Sequence, residues 1–359
     1  MKSLKVTSQS GVYKVNFELK NFEFLNKLLG KNNHFIIDDK VSRIYKKELK
    51  KILINKNVIL IKAKEPNKSI EKLIPVITKL INNNIKRDHL LIAIGGGIVQ
   101  DICSFISSIL FRGIKWQFIP TTLLAQADSC IGSKSSINMG KIKNLLGTFN
   151  PPNKIFISTL FLDSLTNNEI KSGIGEIIKV HIIDGKNSFQ NIEKDIDSFL
   201  NNKKILNKYI YNSLKIKKKF IEKDEFDKGI RNIFNYGHSF GHAIEAATDF
   251  KIPHGISISI GMDIANYLSY KMNKISYKDF IRMHKILYTN YNRLSNTHIS
   301  VSKMIKSMKK DKKNINNNLV LILPNTKDIK IEKFKIICDE RFLKYLKNYF
   351  NKIYNSKNI

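Results

Sequence analysis

Three of the eight histidines of this chain lie close together, at positions 238, 242 and 254. His238 and His242 are four residues apart, so on a helix they share one face. His254 follows a proline, where a new helix can begin. The three imidazoles can bind a divalent metal if a carboxylate or another nitrogen ligand joins them. The alternative is a pair of surface or capped histidines on a helix, which the third histidine and the flanking glycines disfavour.

A carboxylate for such a site is available at Glu176, three residues before Lys179. On a helix the two can form an ordinary i,i+3 surface pair. The neighbouring Ile177 and Ile178 are apolar, however, and this favours partial burial. Glu176 can therefore supply the hard ligand that the histidines lack.

Glycines 95–97 follow a predicted strand and precede a predicted helix. Backbone without side chains can approach a pyrophosphate, and the helix N-terminus adds partial positive charge, although three glycines can also form a flexible turn. Asp101 follows in the first turns of this helix, where it can meet a ribose hydroxyl or offset the helix dipole. Thr121 and Thr122 leave the next strand; their hydroxyls suit a phosphate or nicotinamide edge, or else cap a helix.

A Gly/Ser-rich stretch, residues 132–138, is surrounded by side chains that can meet an anionic or hydroxylated ligand: Asp128, Lys134, Lys143 and Asn144. The alternative is a solvated polar loop. Arg231 and Asn235 share a helical or turn face ahead of His238, and an arginine there suits a carboxylate or phosphate. Residues 309–314 form a basic loop, or a solvated turn, before a strand.

Composition limits the function classes. With 359 residues the chain has room for two domains. The net charge of +32 suits a nucleic-acid partner, but lysine dominates over arginine and no nucleic-acid-binding motif is visible, so we expect no such partner. No apolar run of 18 residues and no signal peptide are found, and we expect no membrane association. Three scattered cysteines form no disulfide framework, which favours the cytoplasm.

Hydrophobic patterning predicts an α/β protein. Strands at 34–39, 57–62, 90–94 and 115–120 alternate with helices at 69–82 and 98–110, which is typical of a parallel, Rossmann-like sheet. From residue 158 onward helical patterns dominate. They cover 168–183, 192–201, 204–223, 238–248, 255–271, 275–288 and 339–354, with one strand pair at 319–323 and 328–331. We therefore predict an α/β domain over residues 1–157 and a mainly α-helical domain over residues 158–359.

Taken together, these motifs resemble the 3-dehydroquinate synthase family of the sugar phosphate cyclases. The resemblance runs from about Asp38 to Lys313. Any one motif is weak, but their joint order and spacing are specific: PTTLLAQ-D, GSK-x-x-IN-x5-N, EIIK, R-x3-NYGH-x3-H and PHG.

The resemblance implies an N-terminal domain that binds NAD and a C-terminal domain that holds Zn²⁺ or Co²⁺. It implies conversion of 3-deoxy-arabino-heptulosonate 7-phosphate to 3-dehydroquinate and phosphate, a step of the shikimate pathway. In one site, NAD transiently oxidises an alcohol, phosphate is eliminated, the carbonyl is reduced again, and the ring opens and closes by an aldol step. The metal ligands would be Glu176, His238 and His254, which places His242 in the substrate pocket rather than on the metal.

The other site residues follow from the same resemblance. Substrate-pocket or catalytic residues would be Asp128, Lys134, Lys143, Asn144, Lys179, Lys217, Arg231, Asn235, His242 and Lys312. Arg112 would reach the phosphate site of a neighbouring subunit, which implies a homodimer. NAD contacts would come from Asp38, Glu65, Lys68, Gly96, Gly97, Asp101, Thr121 and Thr122, with Lys134 and Lys143 beside them.

The chain departs from the family pattern next to several of these positions. Residues 256–258 read Ile-Ser-Ile, Ser133 and Gln100 each replace a glycine, and Val180-His181 replaces an aromatic–glycine pair. The alternatives are a related cyclase acting on another sugar phosphate, such as sedoheptulose 7-phosphate, or a metal-dependent polyol dehydrogenase. Retention of Arg231, Asn235 and His242 favours a substrate that bears a carboxylate, and the lysines disfavour a plain alcohol.

Overall fold

The computed structural model describes residues 3–17, 21–140, 142–294, 297–309, 318–325, 329–354 and 356. The chain forms two compact units. Unit 1 contains Met1–Thr166 and Lys217–Gly229, and unit 2 contains Asn167–Ile216 and Ile230–Ile359. The assignment of NAD binding to residues 1–157 and of metal and substrate binding to residues 158–359 stays a prediction.

The strands of unit 1 are β1 (Ser3–Ser8), β2 (Gly11–Phe17), β3 (Asn33–Asp38), β4 (Val58–Ile61), β5 (Leu90–Gly95), β6 (Lys115–Pro120), β7 (Ile137–Met139), β8 (Ile142–Leu146) and β9 (Lys154–Ile157). Its helices are α1 (Asp39–Ile44), α2 (Lys50–Leu53), α3 (Ile70–Asn82) and α4 (Gly97–Ile109). Seven strands form one sheet in the order β1-β2-β9-β6-β5-β3-β4, and β7 pairs with β8. From β2 to β4 every neighbouring pair is parallel.

The central strands are buried because they carry continuous apolar runs. Phe35, Ile92 and Ile119 are all inaccessible to solvent and belong to one hydrophobic cluster. Runs of this kind are typical of parallel strands covered on both faces. The parallel sheet predicted from the strand–helix alternation is confirmed.

An antiparallel hairpin, β1–β2, extends this sheet at one edge and was not predicted. Its strands alternate buried residues such as Val6 and Val15 with exposed polar ones. The segment Lys217–Gly229 is joined to this hairpin by two acidic residues: Glu222 accepts from the Thr7 amide at 2.8 Å, and Glu225 accepts from the Ser8 hydroxyl at 2.7 Å. These contacts explain why residues 217–229 belong to unit 1 although they lie far along the chain.

Unit 2 is mainly helical. Its helices are α5 (Asn167–Ile183), α6 (Lys186–Asp195), α7 (Lys203–Ile221, whose last turn lies in unit 1), α8 (His238–Ala247), α9 (His254–Lys271), α10 (Tyr277–Tyr291), α11 (Val301–Lys309) and α12 (Glu340–Tyr349). Strands β10 (Asn318–Asn325) and β11 (Lys330–Ile337) form an antiparallel pair. Helix α9 is central, since every residue from Gly255 to Ser269 is buried. In the part of the chain that the structure describes, no helix is long and apolar enough to cross a membrane.

Several predicted boundaries were wrong. The helix predicted at 192–201 is α6, which begins earlier, after Gly185 with φ 103°, and ends in a 3₁₀ turn at Ile196–Ser198. The pattern misled because Ile192 and Ile196 continue an apolar face that starts at Phe189. Helix α11 and strand β9 were not predicted. Position 328, in the predicted last strand, lies outside the described residues, and the observed β11 runs further.

Candidate active site

The three histidines of unit 2 come together at the starts of two helices. Helix α8 begins at His238, directly after Gly237, whose φ of 78° turns the chain into the helix. Helix α9 begins at His254, after Pro253. The ring centroids are 5.3–5.7 Å apart, and one nitrogen from each of the three rings, including His242, lies within 4.8 Å of the other two.

The rings of two of these histidines are oriented by hydrogen bonds on one side. His238 Nδ1 lies 3.2 Å from the main-chain carbonyl of Tyr236, and His254 Nδ1 lies 3.2 Å from Glu245 Oε1. A carbonyl oxygen only accepts, so Nδ1 of His238 carries the proton and Nε2 holds a lone pair. On the opposite edge of His254, Nε2 lies 3.4 Å from Glu176 Oε1. Glu176 therefore belongs to the histidine group.

Glu176 reaches this group because helices α5 and α9 are in backbone contact. A Cβ on Gly255 would collide with the main-chain oxygen of Ser172, and a Cβ on Gly175 would collide with the main-chain oxygen of Gly255. Only glycine permits this approach. Each of these glycines is the chain neighbour of a candidate ligand, Glu176 or His254.

The electrostatics of the group suit metal binding. Burial alone would raise the pKa of Glu176, but the Lys179 ammonium and the nearby histidines hold that pKa well below its usual value. Burial and the Lys179 charge lower the pKa of His238 well below its usual value. Desolvation opposes protonation of His254, yet bonds to Glu176 and Glu245 raise its pKa to about 10. A metal at His254 must therefore displace a proton.

The donor set fits a divalent transition metal. Imidazole nitrogens and one carboxylate are the ligands of catalytic zinc sites, and cobalt accepts the same ligands. Glu176 is ionised and buried, and the Nε2 atom of His238 holds its lone pair. The geometry allows His242 as a third imidazole, so by itself it does not choose between the pair His238–His242 and the pair His238–His254.

In unit 2, one cationic side chain contacts this group, and an arginine and an asparagine precede it in the chain. Lys179 forms a short ion pair with Glu176 and lies 5.8 Å from the centre of the Phe234 ring. Arg231 is buried in the short 3₁₀ segment Ile230–Asn235, and the side-chain amide of Asn235, at the end of this segment, donates to Asn232 at 3.1 Å. This segment ends three residues before His238, the first residue of α8.

In unit 1, the residues predicted to contact NAD follow the carboxyl ends of neighbouring parallel strands. Asp38 ends β3 and caps α1 by accepting from the Lys40 amide at 2.9 Å. Gly96 and Gly97 connect β5 to α4, and a Cβ on Gly96 would approach Thr122 Cγ2 to 3.0 Å. Thr121 and Thr122 follow β6; the Thr122 hydroxyl accepts from the Ala125 amide at 3.2 Å, so it does cap a helical turn. Dinucleotides bind at this edge of parallel sheets.

Lys68 joins several of the predicted residues of unit 1. Its ammonium donates to Asp101 at 3.0 Å, to Asn144 at 3.0 Å and to Ser136 at 3.3 Å, and it lies 3.6 Å from Glu65. Burial raises the pKa of Asp101, and the Lys68 charge opposes this. Lys143 approaches Glu65 more loosely, at 4.0 Å. Residues predicted for NAD and Asn144, predicted for substrate, thus form one polar network.

Two further ion pairs in unit 1 involve predicted substrate residues. Lys217 Nζ lies 2.9 Å from Asp128 Oδ1 and donates to the main-chain oxygen of Asp128 at 2.6 Å. Lys134 forms a short ion pair with Asp227. Arg112 is exposed, with a φ of 62°, in a short turn after α4. Lys312 lies outside the described residues.

Sequence reasoning missed several residues of these networks, among them Glu245, Ser136 and Asp227. Glu245 is seven residues after His238 and three after His242, so it lies on the same face of α8, and this spacing was a usable signal. Ser136 donates both its amide and its hydroxyl to Asp101. It carried no signal beyond its place in a Ser-rich stretch.

Comparisons with known proteins agree on the family. The model of the 3-dehydroquinate synthase N-terminal domain matches residues 58–172, and that of the C-terminal domain matches residues 173–314. The chain is 40% identical over 285 residues to 3-dehydroquinate synthase of Dictyoglomus turgidum, covering 78% of this chain and 79% of that one. It is 34% identical to 3-dehydroquinate synthase of Helicobacter pylori strain P12, covering 90% and 93%.

Solved structures share the fold. A 2-deoxy-scyllo-inosose synthase complexed with carbaglucose-6-phosphate, NAD⁺ and Co²⁺ matches with a TM-score of 0.84 at 22% identity, covering 97% of this chain and 99% of that one. The 2-epi-5-epi-valiolone synthase of Streptomyces hygroscopicus subsp. jinggangensis, with NAD⁺ and Zn²⁺ bound, matches with a TM-score of 0.83 at 21% identity, covering 98% and 99%. At this identity the likeness establishes the fold, whereas the family models and the relatives above 30% identity establish that this chain belongs to the 3-dehydroquinate synthase family.

Proposed function

We propose that this chain converts 3-deoxy-arabino-heptulosonate 7-phosphate to 3-dehydroquinate and phosphate. The observation that carries the proposal is the grouping of Glu176, His238 and His254 in unit 2 of a chain that belongs to the 3-dehydroquinate synthase family. Each unit also has buried cationic side chains: Lys179 and Arg231 in unit 2, and Lys217 in unit 1. A substrate with a phosphate and a carboxylate requires such charges, whereas a plain alcohol does not.

We propose that Glu176, His238 and His254 hold Zn²⁺ or Co²⁺, and that His242 contacts the substrate. NAD would lie at the carboxyl edge of the unit 1 sheet, against Asp38, Glu65, Lys68, Gly96, Gly97, Asp101, Thr121, Thr122, Lys134 and Lys143. When bound, NAD accepts and returns a hydride, and the metal ion polarises hydroxyl and carbonyl oxygens.

The chain's own residues would bind and orient the substrate. We assign this role to Asp128, Lys134, Asn144, Lys179, Lys217, Arg231, Asn235, His242 and Lys312. The planar guanidinium of Arg231 suits bidentate binding of a carboxylate or phosphate. Lys179 and Lys217 are buried, where a charge interacts more strongly with an anionic ligand than it would in water.

We further propose that residues 1–157 form the NAD-binding domain and residues 158–359 the metal- and substrate-binding domain. We propose a cytoplasmic homodimer, with Arg112 reaching the phosphate site of the second subunit, and no nucleic-acid or membrane partner. The exposure of Arg112 supports its contact with a second subunit. The three buried cysteines form no disulfide, and this supports the cytoplasm.

Phosphate release by the purified protein, supplied with NAD and Zn²⁺ or Co²⁺, tests the reaction. We would offer 3-deoxy-arabino-heptulosonate 7-phosphate and, separately, sedoheptulose 7-phosphate. We expect phosphate from the first substrate without net NADH. Phosphate from the second substrate alone would assign the chain to a related cyclase activity, and net NADH would indicate a dehydrogenase.

Two substitutions test the site. His254→Ala should lose bound metal and activity together, and full metal content in this variant would refute the ligand assignment. Arg231→Ala should weaken substrate use while NAD binding remains intact. Arg282→Ala is the matched control, because this arginine of unit 2 pairs with Glu193, at 2.6 Å, rather than with a predicted site residue. Arg282→Ala should change neither substrate use nor NAD binding.

A further inference from the structure

Glu245 is the residue of the histidine group to which neither the family resemblance nor the proposed function gives a role. It lies in the third turn of α8, on the face that also carries His238 and His242. Its carboxylate oxygen Oε1 lies 3.2 Å from Nδ1 of His254, the first residue of α9. The Glu245 side chain is only 14% exposed, so its carboxylate is largely protected from competing water.

The contact determines which nitrogen of His254 is available. A carboxylate accepts a hydrogen bond and does not donate one, so Nδ1 of His254 carries the proton that Glu245 accepts. When His254 is neutral, Nε2 then holds the lone pair, and this is the atom that lies 3.4 Å from Glu176. Once a metal displaces the proton on Nε2, the contact with Glu245 therefore leaves the lone pair on the side of Glu176.

His238 shows the same arrangement with a different acceptor. Its Nδ1 donates to the main-chain carbonyl of Tyr236, at 3.2 Å. Of the two histidines proposed as ligands, one is therefore oriented by backbone, which a substitution cannot remove, and the other by a replaceable carboxylate. A metal-bound histidine whose second ring nitrogen donates to a carboxylate is a more basic and better oriented ligand.

We infer that Glu245 is a positioning residue that orients His254 and increases its basicity as a metal ligand. The inference rests on the proposed metal site and goes beyond it, because it predicts a graded effect on metal affinity from a residue that does not bind the metal. Glu245 would act through His254 rather than on substrate or cofactor.

Metal affinity, measured by chelator competition with Zn²⁺ and by the visible absorption of bound Co²⁺, tests the inference. Glu245→Ala should weaken affinity by about 10- to 100-fold. Glu245→Gln should lose markedly less, because the amide oxygen can still accept from Nδ1 although its charge is gone. Glu193→Ala is the matched control: it removes another partly buried carboxylate of unit 2, the partner of Arg282, and should leave metal affinity unchanged.

Three results would overturn the inference: wild-type affinity in Glu245→Ala, equal losses in the Gln and Ala variants, or an equal loss in Glu193→Ala. If the Ala variant does not fold, the Gln variant decides, since it should shift the Co²⁺ spectrum and reduce affinity by a few-fold; an unchanged spectrum and affinity would refute the role. His254→Ala separates this inference from the proposed metal site. Metal retained in that variant rejects the ligand set itself, whereas metal lost there but unchanged in Glu245→Ala rejects only the positioning role.

Discussion

The two units differ in how their buried ion pairs of candidate site residues are built. In unit 2, the side chains of Glu176 and Lys179 are 1% and 3% exposed, and they form an ion pair within one helix. In unit 1, the side chains of Asp128 and Lys217 are 15% and 9% exposed, and they pair across 89 positions of sequence. Lys217 also donates to the main-chain oxygen of Asp128, a second acceptor that no side-chain substitution removes. The Lys179–Glu176 pair thus joins two buried side chains of one helix, while Lys217 of unit 1 is also bonded to the backbone of its partner.

The largest expected effect tests this difference directly. Glu176→Ala should lower the unfolding free energy of metal-free unit 2 by about 4 kcal/mol, because it leaves the Lys179 ammonium buried without its carboxylate. Asp128→Ala should cost unit 1 only about 1 kcal/mol, because Lys217 keeps its carbonyl acceptor.

Each unit has its own probe for this measurement. Trp116, the single tryptophan, lies in β6 of unit 1, so its fluorescence reports the urea unfolding of that unit. Cys338 is the thiol of unit 2 and is buried, so its labelling in urea reports unit 2. Equal losses for the two substitutions would show that the backbone acceptor of Lys217 does not compensate for the missing carboxylate.

A second substitution tests the helix contact that brings Glu176 to His254. Gly255→Ala should destabilise unit 2 by about 3 kcal/mol, because its Cβ would meet the main-chain oxygen of Ser172, which cannot rotate away. Metal affinity should fall as α5 and α9 separate. Gly229→Ala is the control in unit 1, since its Cβ would meet Asp224 at an ordinary 3.7 Å and should change stability by less than about 1 kcal/mol. A stable Gly255→Ala protein with normal metal affinity would show that the close helix contact is not required.

The close contact between α5 and α9 is the part of the candidate site that the sequence could not predict. Gly95–Gly97 and the threonines after β6 were predictable because each follows an apolar strand, and parallel strands bring their carboxyl ends to one edge. The approach of α5 to α9 has no such signal, because it depends on glycines at two separate places in the sequence meeting in three dimensions. From residue spacing alone, His238 and His242 were expected to bind metal jointly. Glu176 was expected from the sequence to be their carboxylate ligand, because its apolar neighbours favour burial. Only the family resemblance pointed to His254 in place of His242, and the assignment of the ligands stays a prediction.

The missed hairpin has a different cause. In β1 and β2 the apolar residues alternate with polar ones and form no continuous run, as the burial of Val6, Tyr13 and Val15 shows. A strand with one face exposed to solvent is harder to predict from hydrophobic residues than a central parallel strand, which is buried on both faces. The pairing of Lys217–Gly229 with this edge then depends on Glu222 and Glu225, two residues that look like ordinary surface acids in the sequence.

A third prediction concerns buried histidines with a lowered pKa, which occur in both units. Burial lowers the pKa of His181 in unit 2 to about 4, and burial together with His89 lowers that of His34 in unit 1 to about 4. Each histidine stays neutral in the folded state while the unfolded chain protonates near pH 6.5, so stability is lost as pH falls from 6.5 towards 4. For His181 the loss should reach about 2 kcal/mol at pH 5.

His181→Gln tests this prediction, since its neutral amide does not titrate. Hydrogen exchange of α5 amides, corrected for intrinsic rates, should show a smaller acid-induced loss of protection in this variant than in the original protein. The difference between the two proteins cancels the titration of carboxylates common to both. Equal pH dependence would mean that His181 is protonated in the folded state at pH 5.

The smallest expected effect comes from substitutions in unit 1, which also test whether the stability of unit 1 influences the metal affinity of unit 2. Gln100 of unit 1 donates to the main-chain oxygen of Ser129 at 2.6 Å and accepts from the Ser129 hydroxyl at 2.7 Å. Gln100→Ala should therefore lower the unfolding free energy reported by Trp116 by about 1 kcal/mol. Ser129→Ala should cost less, because the main-chain acceptor remains. Metal affinity in unit 2 should stay unchanged in both variants, since neither residue belongs to that unit. A loss of metal affinity that accompanies the loss of stability in unit 1 would instead show that the two units are energetically coupled.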